Sequence, residues 1–170
     1  KPARALILRG AIASALKMDH NSPNTPPTHK SIAKINEYCA PLEILIAEDN
    51  KTNQLVLKTM LKKETAFLTI THNGSEAVDS FYSKKPDLIL MDMSMPEMDG
   101  LEATRKIRTI ENKKGLQRTP IIALTANAMK GDRERCLEAG MDDYLSKPIR
   151  KDILLQTIHK WAAEHIMNSP

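Results

Sequence analysis

Cysteine is scarce in this chain: Cys39 and Cys136 stand far apart, in neither a CxxC nor a Cys/His spacing. That argues against a disulfide framework or a zinc site and favours a reducing compartment. Long apolar runs are missing too, and nothing approaches the roughly 20 residues of a membrane-spanning helix. Residues 1–16 carry an Ala13-Ser14-Ala15 triplet like a signal-peptide cleavage site, but Arg9 interrupts the apolar segment and the reading is rejected. The formal net charge of +4 lies wholly in residues 1–41, with six basic residues against two acidic ones; the remainder balances. A tail charge of that size is weak support for nucleic-acid binding, and none is expected. What is present is the composition of an ordinary globular protein, 41% hydrophobic and 27% charged over 170 residues. The first residue is Lys, so the chain is read as a fragment.

From Pro41 onward, short apolar runs alternate with helical patterns. Glu43–Glu48, Phe67–Thr71, Leu88–Met91, Pro120–Leu124 and Asp143–Leu145 read as strands. Asn53–Lys63 reads as a helix with Val56, Met60 and Leu61 inward. Ser75–Tyr82, Leu101–Ile110 and Asp132–Ala139 read as further helices, and a last one carries Ile153, Leu154, Ile158 and Trp161. Continuous rather than alternating apolar strands suit a sheet covered on both faces. Strict alternation of strand and helix demands right-handed crossovers. The expected fold is α/β, a flavodoxin-like (βα)5 doubly wound parallel sheet of five strands in three layers.

Chemistry concentrates at the strand ends. Glu48 and Asp49 follow the first strand, Asp92 closes the third, Thr125 follows the fourth and Lys147 the fifth. In a doubly wound sheet these ends share one edge, beside the ligand crevice. Three crowded carboxylates repel, and one lysine cannot neutralise them. A hard cation can, and Mg²⁺ typically uses one or two carboxylates with waters and phosphate oxygens. The Thr125 hydroxyl and the Lys147 charge suit phosphoryl oxygens. Asp92, central among them, is a candidate nucleophile that would form an aspartyl phosphate. Each residue has a plainer reading, Glu48 and Asp49 as helix caps and Lys147 as a surface residue. Their coincidence at one edge favours a site. Met91, Met93, Met95 and Met98 are read as core and loop filler. Asp92–Gly100 is not an EF-hand, its glycine being misplaced.

The segments Ile44–Asn50, Leu90–Gly100, Pro120–Ala126 and Tyr144–Pro148 resemble the receiver domains of two-component signalling, in the family's order. Glu48-Asp49-Asn50 followed by Asn53-Gln54 is most similar to receivers of hybrid sensor histidine kinases. The resemblance implies Asp92 as phosphoacceptor. It implies Asp49, Asp92 and the Ser94 backbone carbonyl as Mg²⁺ ligands, with Glu48 acting through metal-bound water. Thr125 and Tyr144 would form the switch pair, Lys147 would bind the phosphoryl group, and Pro148 would follow a cis peptide bond. Ser94 and Asn127 occupy positions that tune dephosphorylation in the family. No classical enzyme is implied, only a domain that catalyses its own phosphorylation and dephosphorylation. The implied partners are a histidine kinase domain, in the same polypeptide, and a histidine phosphotransfer protein. The implied location is cytoplasmic, with no direct membrane contact.

Two other classes of protein share part of this pattern. Haloacid-dehalogenase-like phosphatases also use an aspartate nucleophile, but need a second aspartate two residues on, where this chain has Ser94. An interaction module that is never phosphorylated would be indicated by loss of Asp92 or Lys147, and both are present. The expected organisation is a receiver over 42–165, a linker over 17–41 and a tail over 166–170, with no DNA-binding output domain following. Residues 1–12 match 147–158 in Lys, Pro, Arg, Ile, Leu and Ile at a constant offset. Residues 1–16 are therefore a candidate terminal helix of a preceding receiver-like domain. A chance match between two amphipathic helices is the alternative.

Overall fold

The computed structural model describes residues 42–62, 66–126 and 130–167. The expected linker, the candidate helix over 1–16, Lys63 and Asn127 lie outside the described residues. Strands β1 (Leu42–Ala47), β2 (Ala66–Thr71), β3 (Leu88–Asp92), β4 (Ile121–Thr125) and β5 (Asp143–Ser146) alternate with five helices. These are α1 (Lys51–Leu61), α2 (Gly74–Lys84), α3 (Gly100–Lys114), α4 (Lys130–Ala139) and α5 (Lys151–Met167). The strands form one parallel sheet in the order β2-β1-β3-β4-β5. This is the expected flavodoxin-like fold.

Both faces of the sheet are core, which is why its central strands read as unbroken apolar runs. Ile44, Ile46, Leu88, Leu90, Ile122 and Leu124 pack on one face with Leu57 and Leu61 of α1 and Leu154 and Ile158 of α5. Leu45, Ala47, Ile89, Met91, Ile121 and Ala123 pack on the other with residues of α2, α3 and α4. Met91 and Met95 are buried, and Met93 and Met98 lie against the same core, as filler should.

Three helices begin on side-chain caps: Asn50 accepts from the amides of Thr52 and Asn53, Asn73 from Glu76, and Asp99 from Glu102. The Asn50 cap starts α1 two residues before the expected Asn53. In the resulting phase Leu57 and Leu61, four apart, face the sheet, while Val56 is 41% exposed rather than inward. Ile153 is likewise 42% exposed, leaving Leu154 and Ile158 as the buried stripe of α5.

Helix α3 runs past Ile110, where its apolar pattern ends, to Lys114. The extra turn is held by polar contacts: Arg108 Nη1 donates to Glu111 Oε2 at 2.7 Å and to the Thr119 carbonyl at 2.9 Å. Arg108 Nη2 reaches Asp142 Oδ2 at 2.7 Å, and its Nε reaches the Gly140 carbonyl at 2.9 Å. Gly115, at φ +58, then closes the helix in the left-handed region that glycine favours.

Candidate functional site

The carboxyl ends of β1, β3, β4 and β5 bring together the side chains that strand order alone placed there. One oxygen each of Glu48, Asp49 and Asp92 lies within 4.8 Å of the other two. Glu48 and Asp92 are buried, whereas Asp49 is exposed at the mouth. Lys147 enters from beyond β5. Its Nζ sits 2.8 Å from Asp92 Oδ2 and 2.8 Å from Glu48 Oε2. The ammonium is shared between two carboxylates.

Charge explains the titration of this group. Burial pushes the Asp92 carboxyl up, and the Lys147 hydrogen bond only partly offsets it, with Glu48 adding repulsion; the net direction is upward. Burial alone would lower the Lys147 ammonium, but hydrogen bonds and charge from Asp92 and Glu48 outweigh it and raise it. Lys147 is therefore a fixed positive charge rather than a base, set in a partly buried pocket.

Glu48 is the most tightly held member. Its amide donates to the Thr71 carbonyl at 3.1 Å. Its Oε1 accepts from Asn53 Nδ2 at 2.9 Å and from the Asn50 amide at 3.3 Å. Its carbonyl accepts from Gln54 Nε2 at 2.6 Å, and Gln54 Nε2 also meets His72 Nδ1 at 2.9 Å. Sequence reasoning missed this use of Asn53 and Gln54. Their signal was the helical phase that turns both side chains back toward the strand end.

Thr125 is buried at the end of β4, and its carbonyl accepts from the Lys147 amide at 2.7 Å. Tyr144 is half-buried and packs against the core on the α4 side. The Lys147–Pro148 peptide is cis, as expected. Ser94 is exposed, with its amide 3.4 Å from Asp92 Oδ1.

The loop after Asp92 is stitched from both sides. The Gly100 amide donates to the Met93 carbonyl at 3.2 Å, and the Gly74 amide to the Met98 carbonyl at 3.0 Å. A β-carbon at Gly100 would overlap the carbonyl oxygen of Asp92, and one at Gly74 would lie 2.5 Å from that of Met98. Only glycine allows these approaches. The value of Gly74 for this loop was invisible in the sequence.

A doubly wound sheet with an acidic pocket and one shared lysine at its carboxyl edge defines a class of phosphoryl-handling α/β domains. Residues 44–159 match the response regulator receiver domain family, and the chain belongs to it. It is a receiver domain of two-component signalling. Among curated relatives, hybrid signal transduction histidine kinase I of Dictyostelium discoideum is 45% identical over 131 residues. That alignment takes in 74% of this chain and only 8% of the kinase. A receiver domain of a Pseudomonas aeruginosa sensor histidine kinase, solved with magnesium coordinated in its active-site cleft, is 47% identical with a TM-score of 0.66. It covers 72% of this chain and 98% of its own. A Saccharomyces cerevisiae receiver, that of Ssk1, solved with the histidine phosphotransfer protein Ypd1, is 32% identical with a TM-score of 0.72. It covers 76% of this chain and 94% of its own. The acidic cluster here fits a divalent cation, since three oxygens converge with one lysine as the cation bonded to Glu48 and Asp92. Among the described residues, no helix is long and apolar enough to cross a membrane.

Proposed function

We propose that Asp92 accepts a phosphoryl group from a phosphohistidine. The observation that carries this is the Lys147 ammonium, 2.8 Å from Asp92 in a pocket of three carboxylates. One Asp92 oxygen forms the new P–O bond as the P–N bond of the donor breaks. The electron pair returns to the imidazole nitrogen, which ends protonated. Asp49, Asp92 and the Ser94 carbonyl would hold Mg²⁺, with Glu48 acting through water. A bound Mg²⁺ supplies positive charge that offsets the carboxylates and the phosphoryl oxygens. Lys147 orients the incoming phosphoryl group from the opposite side. The Thr125 hydroxyl moves toward the modified Asp92, and Tyr144 turns further into the space vacated, so that the α4–β5 face carries the signal.

The donor is a histidine kinase domain in the same polypeptide, and the recipient is a histidine phosphotransfer protein. The hybrid-kinase relatives and the phosphotransfer complex of the yeast neighbour support this placement. Asp92→Asn, nearly isosteric, should fold but gain no phosphoryl mass from acetyl phosphate with Mg²⁺, whereas the wild type gains one. Equal labelling of both overturns the acceptor. Radiolabelled wild type should then lose its label to a histidine phosphotransfer protein within minutes. Release only as free phosphate would leave a phosphate sink instead of a relay.

A further inference from the structure

Asn53 has no part in the chemistry above, yet its side chain reaches back from α1 to the strand end. Only the amide nitrogen can face an ionised carboxylate, and Asn53 Nδ2 donates to Glu48 Oε1 at 2.9 Å. The other oxygen, Oε2, takes Lys147 Nζ at 2.8 Å, and the same ammonium is 2.8 Å from Asp92 Oδ2. A continuous line of polar contacts thus runs from Asn53 through Glu48 and Lys147 to Asp92.

We propose that Asn53 is a positioning residue for phosphoryl transfer, acting through Glu48 to keep the Lys147 ammonium within reach of Asp92. This rests on the reading of Asp92 as acceptor. A buried carboxylate needs both oxygens satisfied. Besides Asn53, Oε1 has the Asn50 amide at 3.3 Å, a long bond. Without the Asn53 amide, Lys147, already on Oε2 and carrying three N–H groups, is a mobile donor at hand. It turns to bridge both Glu48 oxygens and leaves Asp92. The bland alternative is that Asn53 merely steadies α1. The cap of that helix, however, is Asn50, whose Oδ1 accepts from the Thr52 and Asn53 amides. The Asn53 side chain is committed to Glu48 instead.

The test follows the maximal rate of phosphorylation of the whole chain by acetyl phosphate at saturating Mg²⁺, read by intact mass. The Mg²⁺ Kd and Tm are measured alongside. Asn53→Ala should slow the rate about tenfold, short of the roughly hundredfold that a 1 Å misplacement of a catalytic group can cost, while the Mg²⁺ Kd stays within about threefold because the two aspartates are untouched. Asn53→His, whose ring N–H can serve as donor, should recover most of the rate. In a Lys147→Ala background, adding Asn53→Ala should change the rate less than about twofold, because the effect travels through that lysine. Should Asn53→Ala fail to fold, Asn53→Leu, of similar shape and without a donor, meets the same criteria. An unchanged rate, or a full loss that persists without Lys147, overturns the proposal. A wild type that gains no phosphoryl mass overturns the acceptor assignment, and this proposal with it.

Discussion

Asp92 is held as a carboxylate against its own preference. Burial and the neighbouring Glu48 raise its pKa more than Lys147 and the Ser94 amide lower it. In strong acid the group is neutral in both folded and unfolded chains and contributes nothing. As pH rises the unfolded chain releases its proton first, while the folded one holds on to a higher pH. Stability therefore falls through that window and stays lower above it. Metal-free Asp92→Asn should accordingly melt above the wild type at neutral pH, with the gap closing in acid. Added Mg²⁺ should reverse the order, because the wild type keeps the full proposed ligand set and binds it more tightly; a hundredfold excess over Kd is worth about 2.7 kcal/mol. Melts in chelator and in Mg²⁺ across that pH range check both statements. Gly100→Ala forces a methyl group into the Asp92 carbonyl and should destabilise by roughly 1–3 kcal/mol, read from urea unfolding. Glu48, Asp49, Asp92 and Lys147 were legible because a strand end follows from where an apolar run stops. Asn53 was not, because its role depends on the phase of a helix that begins two residues earlier than its apolar pattern.

Helix α3 shows why that kind of pattern runs out. Its apolar stripe stops at Ile110, but the helix goes on because Arg108 and Glu111 are buried and paired. Asp142 completes the arrangement, taking Arg108 on Oδ2, where it also accepts the Ile121 amide at 2.8 Å, and Arg118 on Oδ1. Charged residues in a helix usually mark its solvated face, so nothing in their spacing announces a buried cluster. Removing one member of such a cluster leaves the others uncompensated. Arg108→Leu should cost roughly 3–5 kcal/mol in urea unfolding, far more than loss of an exposed pair such as Lys106–Glu102. The same limit governs α1. Leu55 and Leu57 are equivalent on paper, yet Leu57 is 2% exposed and Leu55 65%.

The whole fold was easier to read than its parts. Five strand patterns, the central ones continuous apolar runs, alternating with helical segments admit few arrangements once crossovers are right-handed, and the observed strand order is one of them. The molecule then leaves α1, which follows the acidic strand end, with Leu55 and Val56 uncovered by the core. An apolar patch beside a phosphoryl site suits a partner helix bundle. Leu55→Ser should leave phosphorylation by acetyl phosphate unchanged while slowing exchange with a histidine phosphotransfer protein about tenfold, the size of a modest interface hot spot. Stopped-flow transfer of radiolabel separates the two.

The Lys147–Glu48 contact joins residues 99 positions apart in the chain. No local segment can form it. It closes only when the last strand has docked beside β4, with β3 already seated between β4 and β1. Pairings of such separation bear a large loop-closure entropy and come late in folding. A partly folded chain therefore carries Glu48, Asp49 and Asp92 without the lysine that completes the pocket. The pocket is complete only once the last strand of the sheet is in place.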